Sequence, residues 1–262
     1  MSRKIVVIGA GMAGMSLAAE LSRDAEVTVI ERESNPGYHA TGRSAAVYAP
    51  AYGNAAIRAL TAASRTFLEQ PPGDFTDVPL LDPRTVVFFG RSDQKAALDK
   101  LITETADQEI GLRRISREET ISRVPCFDAG YLDAAVEDSS TSSIDVDALL
   151  QGYIRLFRKN GGEIITGFEV RSVQKSADGW KIQSDRGQPI ETGIIVNAAG
   201  AWADQLAGLA GIQPLGLQPL RRTAITIDPP ADANLSGWSI AIDADEALYS
   251  KPEAGRILVS PA

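Results

Sequence analysis

The sequence contains almost none of the residues from which disulfide bonds and metal sites are built. Among its 262 residues there is one cysteine, Cys126, and one histidine, His39. A single cysteine excludes an intrachain disulfide bond, and a metal site with several His and Cys ligands is excluded as well. We therefore expect no bound metal. Because so low a cysteine content is typical of a reducing compartment, we also predict a cytoplasmic location.

Positive charge and long apolar segments are also scarce. The 34 acidic residues outnumber the 26 Lys and Arg residues and give a net charge of −8, which disfavours binding to nucleic acid. The apolar segment that begins at Ile5 is interrupted by glycines and followed by Glu20 and Arg23. No segment reaches the roughly 20 apolar residues of a membrane-spanning helix. We expect a globular protein with neither a transmembrane segment nor a nucleic-acid partner.

An alternation of strand and helix opens the chain. Residues 4–9 form a continuous apolar run that ends in glycine, which predicts a buried parallel strand. Residues 12–22 have helical spacing, and the β-branched run 26–31 predicts a second strand, so the opening predicts a βαβ unit of an α/β fold. Further helices are predicted over residues 54–69, 93–106, 116–123 and 145–159 and from Trp202 onward, and further strands over 78–89, 163–166, 169–175, 180–184, 190–197 and 221–228, with a hairpin of 247–250 and 256–260.

The turn between the first strand and the first helix carries the spacing G-x-G-x-x-G at Gly9, Gly11 and Gly14. The first glycine allows a tight turn, the second lets a pyrophosphate approach the backbone, and the third allows the helix to pack closely on the strand. The helix N-terminus offers N–H groups and its positive dipole end to phosphates. Glu31, at the end of the second strand, is placed to bind a ribose diol and would repel a 2′-phosphate. The pattern predicts a dinucleotide site and disfavours NADP, but it does not separate FAD from NAD.

A loop, rather than another βα unit, follows Glu31. Residues 31–46 contain Pro36, Gly37 and Gly42, which favour turns over helix or strand. An NAD-dependent enzyme would more usually continue with a helix and a third strand, whereas a long loop near the cofactor suits the extended FAD molecule. The loop therefore favours FAD, and an NAD-dependent Rossmann dehydrogenase remains the alternative.

Four stretches of the chain resemble the D-amino-acid oxidase superfamily of FAD-dependent oxidoreductases, namely residues 9–14, 31–32, 38–46 and 196–204. Within that superfamily the chain most resembles the bacterial D-arginine dehydrogenase branch. The closer similarity lies in the stretches GYHATGRSAA, AYGNAAIRALTAASR, VDALLQGYIR and GLQPLRRTA.

The resemblance implies a Rossmann-like FAD-binding domain and a second, substrate domain built on a mixed, largely antiparallel sheet. Both domains are implied to be discontinuous. Residues 1–77 and 143–214 are assigned to the FAD-binding domain, and residues 78–142 and 215–262 to an incomplete substrate domain.

The resemblance also assigns residues to two ligands, the first of which is non-covalently bound FAD. In this superfamily, arginine and tyrosine side chains hold the substrate carboxylate, and the matching positions are Tyr52, Arg222 and Tyr249. A planar guanidinium suits a carboxylate because it donates two parallel hydrogen bonds. The implied FAD-binding residues are Gly9, Ala10, Gly11 and Gly14 at the pyrophosphate, Glu31 and Arg32 at the adenosine, Thr41, Arg43, Ser44 and Ala45 along the ribityl chain and flavin, Val170 at the adenine, and Ala199, Gly200 and Trp202 over the cofactor.

The implied reaction is oxidation of an amino acid or related amine. A hydride passes from the substrate Cα to flavin N5, and the resulting imine hydrolyses to an oxo-acid and ammonia. A secondary amine or a 2-hydroxy acid is the alternative substrate, and a non-catalytic truncated flavin-binding fragment is a further alternative. The sequence leaves open whether the electron acceptor is oxygen or a quinone, and it leaves the oligomeric state open.

The chain departs from the arginine-oxidising members of the superfamily in three ways. Val47 stands where those members have a histidine, and no acidic residue lies between Asp82 and Gly90, where they have a carboxylate. We therefore predict that arginine and lysine are not preferred substrates. The chain also ends at Ala262, directly after a predicted strand, so we expect a C-terminal truncation, weak FAD binding and little turnover.

Overall fold

The computed structural model describes residues 4–106 and 110–261. The outer limits of the predicted domains, Met1 and Ala262, lie outside these ranges. The helices are α1 (Met12–Leu21), α2 (Ala55–Glu69), α3 (Lys95–Glu104), α4 (Arg117–Arg123), α5 (Val146–Lys159) and α6 (Ala203–Leu209). The strands are β1 (Lys4–Ile8), β2 (Glu26–Ile30), β3 (Val47–Tyr48), β4 (Leu81–Pro83), β5 (Val86–Gly90), β6 (Leu112–Ile115), β7 (Ala134–Asp138), β8 (Ser142–Ile144), β9 (Glu163–Ile165), β10 (Val170–Ser176), β11 (Gly179–Ser184), β12 (Ile190–Thr192), β13 (Ile194–Asn197), β14 (Ile225–Ile227), β15 (Ile240–Asp243), β16 (Leu248–Glu253) and β17 (Arg256–Pro261).

The chain divides into two compact units. The predicted division grouped residues 45–70 with the dinucleotide site, whereas the structure groups them with the second unit. The reason is local pairing, since β3 pairs with β8 and Arg58 of α2 donates a hydrogen bond to the Glu104 carbonyl. Unit 1 contains Met1–Ser44, Pro71–Leu80 and Asp145–Leu220, and unit 2 contains Ala45–Gln70, Leu81–Ile144 and Arg221–Ala262.

A parallel sheet in the order β13-β1-β2-β9 forms the centre of unit 1. Successive side chains of β1 point to opposite faces of this sheet. Val7 packs on one face with Met15 of α1 and Phe157 of α5. Val6 packs on the other face with Ile182 of the antiparallel sheet β10-β11-β12. Both faces of the sheet are therefore covered, which explains why β1 is a continuous apolar run. The predicted βαβ unit is confirmed, because β1 and β2 pair in parallel and α1 connects them.

A seven-stranded sheet in the order β14-β17-β16-β15-β5-β7-β6 forms the centre of unit 2. Its strands β5 and β15 are parallel and its other neighbouring strands are antiparallel, which confirms the predicted mixed, largely antiparallel sheet. Val87 of β5 packs with Val124 on one face, and Val86 packs with Leu98 of α3 on the other. The strand β15 ends at Asp243, and a short turn then leads into β16.

Some predicted strands are shorter or divided in the structure. The predicted strand 78–89 is two strands, β4 and β5, which belong to different sheets. The predicted strand 190–197 divides at Gly193 into antiparallel β12 and parallel β13. Of residues 221–228, only Ile225–Ile227 pair as β14. These predictions were wrong in extent because side-chain alternation does not reveal where a pairing partner ends, whereas the predicted hairpin is confirmed by β16 and β17.

Candidate functional site

The turn between β1 and α1 leaves no space for a side chain at two of its glycines. Gly9 has a φ of 110°, and a Cβ at Gly9 would lie 2.4 Å from the carbonyl oxygen of Ala198. A Cβ at Gly14 would lie 1.9 Å from the carbonyl oxygen of Gly9. Only glycine therefore allows α1 to pack this close to β1. The phosphate turn predicted from the sequence forms with the expected tight geometry.

Gly11 differs from the other two glycines because the atom closest to the place of its Cβ belongs to a side chain and not to the backbone. It precedes α1 in an extended conformation with a φ of −77° and a ψ of −176°. The nearest atom to a Cβ placed at Gly11 is Thr41 Oγ1, at 3.3 Å. The same hydroxyl accepts a hydrogen bond from the Met12 N–H at 3.0 Å. Since first-turn N–H groups have no acceptor within the helix, the Gly11 backbone and the start of α1 fit a pyrophosphate group.

The Glu31 carboxylate is held at the carboxyl end of β2 by backbone groups. Its Oε2 accepts a hydrogen bond from the Ala10 N–H at 2.8 Å, and its Oε1 accepts one from the Glu33 N–H at 2.9 Å. Ala10 is fully buried, and its carbonyl accepts a hydrogen bond from the Gly37 N–H. Ala10 therefore connects the acid to the phosphate turn. A carboxylate has about four acceptor positions, so Glu31 retains capacity for the two hydroxyls of a ribose.

A charged and aromatic cluster lies next to Glu31. The Arg32 guanidinium is 3.8 Å from the centre of the Trp202 ring, and Arg32 Nε is 3.0 Å from Glu33 Oε1. His39 Nε2 lies 2.8 Å from the same oxygen, and the His39 ring is 4.7 Å from the Trp202 ring. The contact with His39 lowers the pKa of the Glu33 carboxyl. The structure thus brings together Arg32 and Trp202, two predicted cofactor residues, and packs His39 against both Glu33 and Trp202.

The segment after β13, residues 198–202, contains three predicted cofactor residues, Ala199, Gly200 and Trp202. We call it the second glycine turn of unit 1. Asn197 fixes it, because its Nδ2 donates to the Ala203 carbonyl at 2.8 Å and its Oδ1 accepts from the Ala199 N–H at 3.2 Å. Gly200 has a φ of 53°, and the Trp202 N–H donates to the Ala199 carbonyl at 3.0 Å. Because β13 is parallel to β1, both glycine turns lie at the same edge of the sheet, where α/β sheets bind ligands.

The remaining predicted cofactor residues lie outside the two turns. Val170 is the first residue of β10 and is half-buried. Arg43 and Ser44 are exposed in unit 1. In unit 2, the Ala45 carbonyl accepts a hydrogen bond from Lys251 Nζ at 2.9 Å. Contacts of these residues with a cofactor stay predictions.

Within unit 2, the predicted substrate residues converge although they lie far apart in the sequence. The Arg222 guanidinium is 5.5 Å from the centre of the Tyr249 ring. The Tyr52 hydroxyl donates a hydrogen bond to Glu246 Oε2 at 3.1 Å. Burial raises the pKa of the Tyr52 hydroxyl and the Glu246 carboxylate acts in the same direction, whereas the nearby Arg222 guanidinium lowers that pKa. A cation, two phenols and a carboxylate are therefore grouped together, and we call these four residues the Arg222 cluster.

The turn between β15 and β16 places Glu246 beside Tyr52. Asp243, which is fully buried at the end of β15, accepts hydrogen bonds from two N–H groups of this turn at 3.0 and 3.3 Å. It also accepts a hydrogen bond from the Tyr131 hydroxyl at 3.0 Å and lies 3.2 Å from the Gln94 side-chain nitrogen, which donates to it. Glu246 has a φ of 60°, which non-glycine residues seldom adopt. The anchor at Asp243 therefore stabilises the turn that presents Glu246.

Sequence reasoning missed both Glu246 and Asp243. The run DADE at residues 243–246 indicates only an acidic surface turn, and the contact between Tyr52 and Glu246 joins positions 194 residues apart. The position near Val86, where the arginine-oxidising members have an acid, is fully buried here in an apolar cluster that also contacts Val47. A carboxylate thus reaches the predicted substrate residues from a part of the chain that no motif marks.

Two further features are absent from residues 4–106 and 110–261. In these ranges, no group of three or more His, Cys, Asp and Glu side chains is placed to hold a metal ion. Over the same ranges, the structure contains no helix with the length and apolar character needed to cross a membrane.

Two relatives of known name are similar in sequence. L-2-hydroxyglutarate dehydrogenase from Salmonella houtenae is 30% identical over 221 residues, which cover 80% of this chain and 50% of that protein. Glycine oxidase from Pseudomonas aeruginosa is 28% identical over 234 residues, which cover 83% of this chain and 59% of that protein. The chain therefore spans about half the length of the curated relatives it matches.

Solved structures have the same fold. Glycine oxidase from Geobacillus kaustophilus superposes with a TM-score of 0.83 at 16% identity, over 100% of this chain and 72% of that one. Iminodiacetate oxidase from Chelativorans sp. BNC1 superposes with a TM-score of 0.74 at 24% identity, over 98% and 71% of the two chains. The family described as DAO, FAD dependent oxidoreductase, matches residues 4–262. The chain belongs to this family of FAD-dependent oxidoreductases, and FAD is its cofactor.

Proposed function

We propose that the whole protein oxidises an amino acid or a related amine with FAD as the immediate electron acceptor. The observation that carries this proposal is the Arg222 cluster. An arginine beside two phenols suits a substrate carboxylate, and the adjacent Glu246 carboxylate suits a cationic nitrogen. An α-amino acid carries both groups on one carbon, and it therefore matches the cluster better than a ligand with negative groups alone.

The proposed chemistry divides between the cofactor and the chain. FAD, when bound, supplies N5 as the acceptor of the hydride from the substrate Cα. Arg222 would bind the substrate carboxylate through its guanidinium, and the Tyr249 hydroxyl would orient that carboxylate. Tyr52 has one hydroxyl proton, which it would turn from Glu246 to the carboxylate of the substrate. The substrate amine must lose its proton before the hydride leaves, and the imine product is hydrolysed by water to an oxo-acid and ammonia.

For the cofactor, we propose the contacts that the two glycine turns favour. The Gly11 backbone and the N-terminus of α1 would bind the pyrophosphate, Glu31 would bind the ribose, and Arg32 with Trp202 would border the adenosine end. Ala10 would act through its hydrogen bond to Glu31 rather than by direct contact, since it is fully buried. The other proposed FAD-binding residues are Gly9, Gly14, Thr41, Arg43, Ser44, Ala45, Val170, Ala199 and Gly200.

A 2-hydroxy acid is the second candidate substrate. The similarity to L-2-hydroxyglutarate dehydrogenase from Salmonella houtenae favours it, because Arg222 and the two phenols suit any 2-substituted carboxylate. A secondary amine fits the same cluster, and iminodiacetate oxidase is a structural neighbour. The D-arginine dehydrogenase branch, the cytoplasmic location and the identity of the electron acceptor stay predictions of the sequence.

A substrate panel tests the proposal. The full-length, FAD-loaded protein would be assayed with a dye as electron acceptor on glycine, D- and L-alanine, sarcosine, lactate and 2-hydroxyglutarate. We expect the highest kcat/KM for an amino acid or secondary amine, with one equivalent of oxo-acid formed per dye reduced. A highest kcat/KM for a 2-hydroxy acid, with no nitrogen product from any amine, would replace the first candidate by the second.

A further inference from the structure

Glu246 contributes a negative charge to the Arg222 cluster. This residue was not predicted from the sequence. Its Oε2 accepts the hydrogen bond of the neutral Tyr52 hydroxyl at 3.1 Å, so this contact leaves the charge of the carboxylate uncompensated. The Arg222 guanidinium interacts with the same hydroxyl and lowers its pKa. The cluster therefore presents one positive and one negative group to a ligand, with Tyr52 in contact with both.

The side chain of Glu246 is not what holds its own turn in place. Asp243 anchors the turn by accepting hydrogen bonds from the N–H groups of Asp245 and Ala247. Asp243 is in turn fixed by Gln94 and Tyr131. The Glu246 side chain is exposed, so a change at this position alters the charge of the cluster while the anchor remains.

We propose that Glu246 is a specificity-determining residue that selects ligands by charge. It favours a substrate whose carboxylate is accompanied by a cationic nitrogen, and it disfavours a substrate that carries a second carboxylate. The second carboxylate of such a ligand would meet Glu246 while the first is bound by Arg222, and like charges about 6 Å apart at intermediate dielectric repel by enough to change affinity about tenfold. This inference depends on the proposed function, because it assigns to Arg222 the first carboxylate.

The inference is tested by comparing ligands with one and with two carboxylates. Acetate and glutarate, which are not oxidised, would be titrated into the full-length FAD-loaded protein, and binding would be followed by isothermal calorimetry and by the flavin absorption spectrum. Kinetics with alanine and iminodiacetate would be measured in parallel. The variants are Glu246→Gln, which removes the charge, and Glu246→Lys, which reverses it. Asp232→Asn, an exposed residue of unit 2, is the control for net charge.

We expect the ratio of the glutarate Kd to the acetate Kd to fall about tenfold in Glu246→Gln and further in Glu246→Lys, and to stay within about twofold of wild type in the control. The same order is expected for KM with iminodiacetate relative to alanine. An unchanged ratio in both Glu246 variants, with unchanged thermal melting, would overturn the inference while amino-acid oxidation by wild type upheld the proposed function. Failure of the wild-type protein to bind acetate or oxidise any amine would instead overturn the proposed function.

Discussion

Asp138 is a carboxylate at the end of β7 that is fully buried in unit 2. One oxygen accepts hydrogen bonds from the N–H and the hydroxyl of Ser140. The other oxygen, Oδ2, has no partner among the described residues. Burial raises the pKa of Asp138 above its ordinary value of 3.8 despite the bonds from Ser140. The ionised form is therefore less favourable in the folded protein than in the unfolded chain.

This shift predicts how stability depends on pH. Because the folded-state pKa is raised, the contribution of Asp138 is fully present below pH 3.8 and is lost as the pH rises through the folded-state pKa. We expect Asp138→Asn to increase the free energy of unfolding at pH 7 by about 1 to 3 kcal/mol, and to change it little at pH 4. Urea unfolding of both proteins from pH 4 to 7 measures the difference. A gain that is the same at every pH would contradict the assigned cause.

Asp243 is also fully buried, but unlike Asp138 it accepts hydrogen bonds from donors in three parts of unit 2. We expect Asp243→Ala to lower the free energy of unfolding by about 3 kcal/mol, since the buried Gln94 and the half-buried Tyr131 lose an acceptor. We also expect a raised KM, because the turn that carries Glu246 loses its anchor. The control is Asp245→Ala, which removes an exposed acid of the same turn that accepts one hydrogen bond from Gln94, at 2.8 Å, and should cost less than half as much.

At the scale of single elements, two glycines of the turn before α1 are expected to have different roles. Substitution of Gly14 should affect folding, and substitution of Gly11 should affect cofactor binding. A Cβ at Gly14 would overlap the Gly9 carbonyl at 1.9 Å, whereas one at Gly11 would lie 3.3 Å from the Thr41 side chain. We expect Gly14→Ala to lower the free energy of unfolding by about 3 kcal/mol. Gly11→Ala should fold with near-normal stability but bind FAD at least tenfold more weakly, about 1.4 kcal/mol.

Two measurements check this pair of variants. Urea unfolding of the cofactor-free proteins reports stability, and quenching of FAD fluorescence during titration reports affinity. Equal FAD affinities for wild type and Gly11→Ala would mean that the pyrophosphate does not approach Gly11.

The elements of unit 1 were largely predictable from the sequence, and several of those of unit 2 were not. The helix α5 matches the helix predicted over residues 145–159, and its N-cap Asp145 accepts a hydrogen bond from the Ala148 N–H at 2.8 Å. That signal is local. By contrast, β7 and β15 had no prediction, because Glu137, Asp138 and Asp243 place buried charged residues inside or at the end of strands. Their burial depends on partners from distant parts of the chain, such as Arg123 for Glu137.

The same limit applied to the candidate site. Gly9, Gly11, Gly14 and Glu31 form one contiguous motif, and their positions in the structure follow the predicted geometry. The Arg222 cluster is assembled from two separate segments of unit 2, residues 45–70 and 221–262. Family resemblance predicted three residues of the cluster, Tyr52, Arg222 and Tyr249. The contact between Glu246 and Tyr52 depends on the fold and was not predicted.

At the scale of the whole molecule, unit 1 carries the glycine turns and unit 2 carries the Arg222 cluster. The chain spans about half the length of the curated relatives it matches. The family match identifies the cofactor, and the relatives act, by their names, on both hydroxy acids and amino acids. On the proposed function, the substrate of the full-length protein is decided by what the Arg222 cluster binds.

The measurement that tests the central claim most directly is anaerobic reduction of the flavin by an amino acid in the full-length protein and in two variants. Arg222→Met removes the proposed carboxylate ligand, and Arg221→Met makes the same change at the adjacent exposed position. We expect Arg222→Met to raise the Kd for the amino acid by about tenfold to a hundredfold, the value of a charge-assisted bidentate contact, and Arg221→Met to change it less than about threefold. Equal effects of the two variants, or reduction by 2-hydroxyglutarate and by no amino acid, would contradict the account.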